Sequence, residues 1–236
     1  MDIHKPHAAK TWKEFFIELG TITLGIVIAI SLEQLVESWH WAGEVKEARK
    51  AIIEEMAANN ANLLAIRIAI APCVEKQLNE ADAVLTALEA GGKSAGLTHF
   101  RRPIGSLLRD SEWQSERASQ VLTHFPRDEL AIMSRYYAHL QDFKAWEIPE
   151  IAAWRELGIL QKPPAGMTTS DLIRLRIALA SARSWEGLTA LNARRELKLI
   201  MPLGVGDLSA DPIVVKNYCA MNDADYSRFR ASQDLR

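Results

Sequence analysis

Two hydrophobic patterns follow one another along this 236-residue chain. The first is continuous. From Leu19 to Leu32 the chain reads LGTITLGIVIAISL without a charge. Phe15, Phe16 and Ile17 extend it on one side, and Leu35 and Val36 on the other. Only Glu18, Glu33 and Gln34 interrupt this wider span. As helix, Phe15 to Val36 rises about 33 Å, enough to cross a hydrocarbon core of ~30 Å. Its Ile, Leu and Val residues stand all round the helix, whereas a surface helix would show a polar side. We therefore expect a transmembrane helix over residues 15–41 after a short basic tail, residues 1–14. Two alternatives stay open. The uncharged centre alone is about 21 Å long, which suits a buried helix of a soluble protein. Ala29-Ile30-Ser31 loosely fits a signal-peptide cleavage site, although Glu18 inside the apolar region argues against it.

The second pattern is periodic. Val45, Ala48, Ile52, Met56, Leu63, Ile66, Ile70, Val74, Leu78, Ala81, Leu85 and Leu88 recur at helical spacing with charge between them. This predicts a long amphipathic helix continuing from the membrane segment, kinked or divided at Pro72 and ending at Gly91-Gly92. After a loop with Gly96, Pro103 and Gly105, Ser111 and Gln114 read as a capping box for a short helix. Pro126, Asp128 and Glu129 suit the start of another, which Pro149 should break. Thr169 or Ser170 should cap a helix to Met201, with Leu172, Leu175, Leu179, Trp185, Leu188, Leu191, Leu197 and Ile200 on its apolar face. No strand alternation is sustained. The expected fold is all-α, with residues 42–203 forming an antiparallel bundle of about four helices and residues 204–236 a C-terminal tail.

Features flanking the first segment sharpen its reading. Trp12 precedes it, and Trp39 and Trp41 follow it, as an interfacial aromatic belt would. Lys5, Lys10 and Lys13 lie before it, while Glu33, Glu37 and Glu44 dominate the stretch after it. By the positive-inside rule the N-terminus is cytoplasmic and the bulk lies outside the cytoplasm. Glu18, Thr21, Gly25, Ala29 and Glu33 step by three and four residues, so they share one face. Thr21, Gly25 and Ala29 make a small-xxx-small run that permits close helix approach in lipid, with a glutamate at each end. Glutamates at such depth face a partner or reach toward headgroups.

Composition adds mainly exclusions. A net charge of -2 gives no basic footprint for nucleic acid. The two cysteines, Cys73 and Cys219, do not form a CxxC; in an oxidising compartment they could pair. The sequence has no G-x-S-x-G, H-E-x-x-H, Walker A or G-x-G-x-x-G. Gly204-Val205-Gly206-Asp207 reads as a turn. Glu37-Ser38-Trp39-His40 is an E-x-x-H, but di-iron bundles need two; the pair more plainly solvates the outer mouth of the membrane helix. Trp113, His124, Tyr136, Tyr137 and His139 could line a pocket, although aromatic residues at helical spacing are more often core. No catalytic set, metal site or cofactor is expected.

The stretch from Glu18 to Ile30, an E-x-x-x-I-x-x-G-I-V-I-A-I run, resembles a group of bacterial single-pass membrane proteins with a helical extracytoplasmic domain and no known activity. The stretch from Ser111 to Phe143 is similar to a second region of that group, except that Glu116-Arg117 stands where smaller residues are expected. The resemblance implies an anchored helical protein and carries over no functional residue.

The expectation is therefore a single-pass protein of the bacterial inner membrane, with a cytoplasmic N-terminus and a periplasmic bulk. It would act as a non-catalytic interaction or accessory subunit, bound to the bilayer and to other membrane subunits or to itself. The alternatives are a periplasmic ligand-sensing bundle and, last, a membrane-attached enzyme.

Overall fold

The computed structural model describes residues 11–92, 94–105, 108–205 and 209–220. Every regular element among them is helical. Helix α1 runs from Trp12 to Asn59 and passes through a π-helical turn, Asn60–Leu64, into α2, Ala65–Glu89. Together they make one rod of 78 residues, about 117 Å long. Thr11 starts it by accepting the Glu14 N–H at 3.2 Å. Residues 12–40 are exposed throughout, and packing begins at Trp41. One helix is thus long and apolar enough to span a membrane, and it is continuous with the core of the folded domain.

Two further long helices pack on the rod: α4, Arg127–Leu157, and α5, Thr169–Ile200. Their polar contacts fix their directions. Arg49 pairs with Glu129, Tyr137 bonds Glu55, and Arg67 bonds Glu150, so α4 ascends with the rod. Arg176 pairs with Glu89, Arg67 with Glu186, and Arg49 donates to the Leu203 carbonyl, so α5 descends against it. The domain therefore has three long legs, two of them parallel, where four antiparallel helices were expected. The return from the top of α2 to the foot of α4 is made by an irregular strap, the short helix α3, Ser111–Ala118, and a 3-10 turn, Val121–His124. At the foot, His124 stacks on Trp41 with ring centroids 3.9 Å apart. A last helix, α6, Pro212–Ala220, packs on α2.

The core falls into two apolar clusters. The lower contains Ile52, Met56, Leu64, Met133, Tyr136 and Leu140; the upper contains Ile70, Val74, Leu78, Leu85, Leu157 and Leu175. Between them lies the Arg67 guanidinium, 2% exposed, held by Glu150 at 2.5 and 3.0 Å and by Glu186 at 2.7 Å. This triad joins all three long legs in one plane.

Several expected boundaries move. Pro72 and Pro149 lie inside unbroken helices. Each removes one backbone bond, but packing along the rest of the helix outweighs that local cost. Thr168 caps α5, in a capping box with Asp171. Ser111 caps nothing; its hydroxyl, with the Glu112 and Trp113 N–H groups, donates to Glu55 of α1. A carboxylate from another helix thus satisfies the positive N-terminus of α3. On α5, Leu175, Leu179 and Ile200 are buried as expected, but Ala178, Ala182, Ala190 and Ala193 lie inward with Glu186 and Glu196, and Leu191 is exposed.

Removing one partner from a buried ion network leaves uncompensated charge, at a cost of about 3–5 kcal/mol. Arg67→Met should therefore lower stability to urea by about that amount or prevent folding. Adding Glu150→Gln and Glu186→Gln to it should restore most of the loss, as read by circular dichroism melts of the purified chain.

Candidate functional site

On the exposed part of α1, the structure keeps Glu18, Thr21, Gly25, Ala29 and Glu33 in uninterrupted helix, so their shared face is preserved. A Cβ built on Gly25 meets nothing within 4 Å, so the chain itself covers no part of this position. The hydroxyls are already satisfied: Thr21 donates to the Ile17 carbonyl at 2.9 Å, Thr23 to Leu19 at 2.8 Å and Ser31 to Val27 at 2.7 Å. Each of these hydroxyls thus closes on a carbonyl of its own helix. Trp12 and Trp39 are exposed at the two ends of this segment. Trp41 is half-buried; it donates to Glu37 at 3.3 Å and stacks on His124, so it belongs to the foot of the domain as well.

Inside the domain, polar groups form a spine between the rod and its neighbours. Glu55 accepts from the Tyr137 hydroxyl at 2.8 Å in addition to its three bonds to α3. Asn59 bonds both backbone groups of Arg109, at 2.7 and 2.8 Å. Across the π turn next to it, Asn59 and Asn60, then Leu63 and Leu64, continue on the buried side the stripe begun by Glu55 and Met56. Tyr136 donates to Asn60 at 3.4 Å. His139 meets Glu196 at 2.5 Å. Burial pushes the carboxyls of Glu186 and Glu196 above their ordinary range, against the pull of Arg67 and His139. Burial likewise raises both tyrosine hydroxyls, and Glu55 adds to the rise at Tyr137.

These contacts are chiefly structural. The aromatic and histidine residues singled out in the sequence do not converge on one pocket. Trp113 and Tyr137 stack in the lower core at 4.9 Å, His124 stands at the foot, and His139 pairs across to α5. Arg67, Glu55, Glu186 and Glu196 escaped the sequence reading. The available signal was a charged residue at a position where an apolar stripe continues, such as Arg67 between Ile66 and Ile70.

Cys73 of α2 and Cys219 of α6 are joined by a disulfide, their Cα atoms 5.6 Å apart. The next residue back, Tyr218, is buried; its hydroxyl donates to the Arg101 carbonyl and accepts from Gln77, both at 3.3 Å. The bond therefore pins α6, and α6 in turn supports the strap that leaves α2. Lys5, Lys10, Gly206, Asp207 and the Arg-rich end of the tail lie outside the described residues.

Comparison with known protein families, with curated proteins and with solved structures finds nothing that this chain matches.

Glu196 has a raised pKa in the fold, so its favourable contribution is present at low pH and is lost as pH rises through that value. Glu196→Gln keeps a neutral side chain of similar size and removes the titration. The variant should match the parent most closely at low pH and gain stability relative to it as pH rises, read as the difference in Tm.

Proposed function

We propose that this is a single-pass protein of the bacterial inner membrane and a non-catalytic interaction or accessory subunit of a membrane assembly. One observation carries the reading: an exposed apolar helix projects from a folded domain as a direct extension of its central leg. Water disfavours so long an exposed apolar segment, and a bilayer accommodates it. The segment from Trp12 to Trp39 rises about 40 Å, the thickness of a bilayer with its interfaces.

Two independent features support a periplasmic domain. Lysines precede the span, and disulfides persist in oxidising compartments, such as the periplasm, rather than in the cytosol. The Thr21, Gly25 and Ala29 stripe would be the contact within the membrane, either with another subunit or with a second copy, and Glu18 and Glu33 would lie at its edges. Within the domain, buried acids and bases engage one another, as in the Arg67 triad and the His139–Glu196 pair. That fits a scaffold better than a reaction centre. A periplasmic sensor is the second reading, and a groove described below favours it.

The first experiment is a gentle-detergent pull-down of the tagged chain from native membranes, with mass spectrometry. Stoichiometric recovery with other membrane subunits, or as a defined homo-oligomer, is expected; recovery from the soluble fraction would overturn the reading. Because nothing in the chain packs on Gly25, Gly25→Leu should leave the domain's Tm unchanged while shrinking the complex on size exclusion. Unchanged complex size would remove the stripe as the contact.

Orientation is tested through the thiols. In cells quenched with a polymer-linked maleimide, Cys73 and Cys219 should resist labelling until a reductant is added. Full labelling without reductant would place the domain in the cytosol.

A further inference from the structure

A groove of about 500 Å³ opens on the upper half of the domain, between the strap and the C-terminal turns of α4. Phe100 and Arg102 of the strap form one wall; Ile151, Trp154, Arg155 and Gly158 form the other. It is well away from the membrane helix, at the end of α4 remote from His124 and Trp41. The strap is held close. The Leu97 N–H donates to the Leu160 carbonyl at 2.9 Å, and Gln161 donates to the Phe100 carbonyl at 3.4 Å. Gly96 has φ +83°, and a Cβ there would overlap the Gln161 carbonyl oxygen, so only glycine permits this approach.

The charge of the lining is one-sided: two guanidinium groups and no carboxylate. Arg155 is exposed and enters no ion pair among the described residues. Arg102 has only a 4.0 Å contact with Glu147, which lies outside the lining. The carbonyl end of α4 contributes about half a negative charge, less than the guanidinium charge facing it. The rest of the lining is mixed: Ile151, Gly158 and the largely buried Phe100–Trp154 ring pair, whose centroids are 4.8 Å apart, with the Gln161 side chain beside them. At Gly158 a Cβ would meet nothing within 4 Å, so bare backbone leaves room for a ligand to lie close.

The geometry points to a binding site for a small organic anion, a carboxylate joined to a flat apolar body. The carboxylate sits between Arg102 and Arg155, where a guanidinium can donate in parallel pairs. The apolar body lies over Ile151 and Gly158. The size of the groove falls within the range of small-molecule sites. The inference stands apart from the membrane-subunit reading: an empty groove leaves that reading untouched, and a soluble chain would still possess the groove.

The test uses the full chain in mild detergent, with benzoate and phenylacetate as probes and benzamide and phenylacetamide as their neutral counterparts. Binding is read by calorimetry and by ligand-observed NMR. Saturable binding of at least one anion is expected, with its amide at least tenfold weaker, a difference of about 1.4 kcal/mol. Arg155→Glu should weaken the anion by tenfold or more. Gly158→Leu should block the groove, and because its side chain projects into open space the Tm should hold. Absence of saturable binding at millimolar concentration, equal binding of acid and amide, or binding indifferent to both variants would overturn the proposal.

Discussion

A single guanidinium is the constraint around which the folded domain is arranged. Arg67 has left water almost completely, which is tolerable only if opposite charge meets it at hydrogen-bonding distance. Glu150 and Glu186 do so from two different helices. No two legs can slide or rotate past one another without stranding one of the three charges. Apolar packing above and below tolerates small shifts; a buried ion triad does not. The triad thereby sets the mutual height of the three legs. Its cost is high, and the likeness of its surroundings to hydrocarbon pushes Glu186 toward its neutral form. The salt bridges at the far end, where Arg176 and Arg183 meet Asp82 and Glu89, are partly exposed and contribute less.

The rod gives the triad its reach. Its lower portion carries residues that suit lipid, its middle carries the buried spine, and its upper portion carries Cys73 and the face that packs on α5 and α6. The π turn at Asn60–Leu64 lies just below Arg67. Glu55, Met56, Asn59, Asn60, Leu63 and Leu64 are all buried, so the polar spine continues through this turn toward the triad without a break in the helix.

How much of this the sequence disclosed depends on the kind of signal. The long apolar segment of α1 was legible because its apolar residues are continuous, and the inner face of the rod because Ile52, Met56, Ile70, Val74 and Leu78 recur on a helical period. The face of α5 was legible at Leu175, Leu179 and Ile200, which are buried, and lost between them, where the interior is mostly alanine, which carries little periodic weight, and two glutamates, which carry the opposite sign. Leu191 was assigned inward because it is large, yet it is exposed. Pro72 and Pro149 misled for a related reason: a local rule met tertiary packing that outweighs it. The bundle count failed because the strap and α3 do by irregular chain what a fourth helix would have done, and turn composition carries no record of where a loop travels. The groove was invisible for the same cause, since Arg102 and Arg155 lie far apart in sequence and meet only across the strap.

The bond between Cys73 and Cys219 has a topological consequence. It closes a covalent ring over a sequence separation of 146 residues, one that includes the strap, α3, α4, α5 and most of α6. A protease that nicks the backbone once anywhere within that ring severs the chain without separating its parts. The two halves would still migrate together on a non-reducing gel, and the cut would appear only once the sulfurs were reduced.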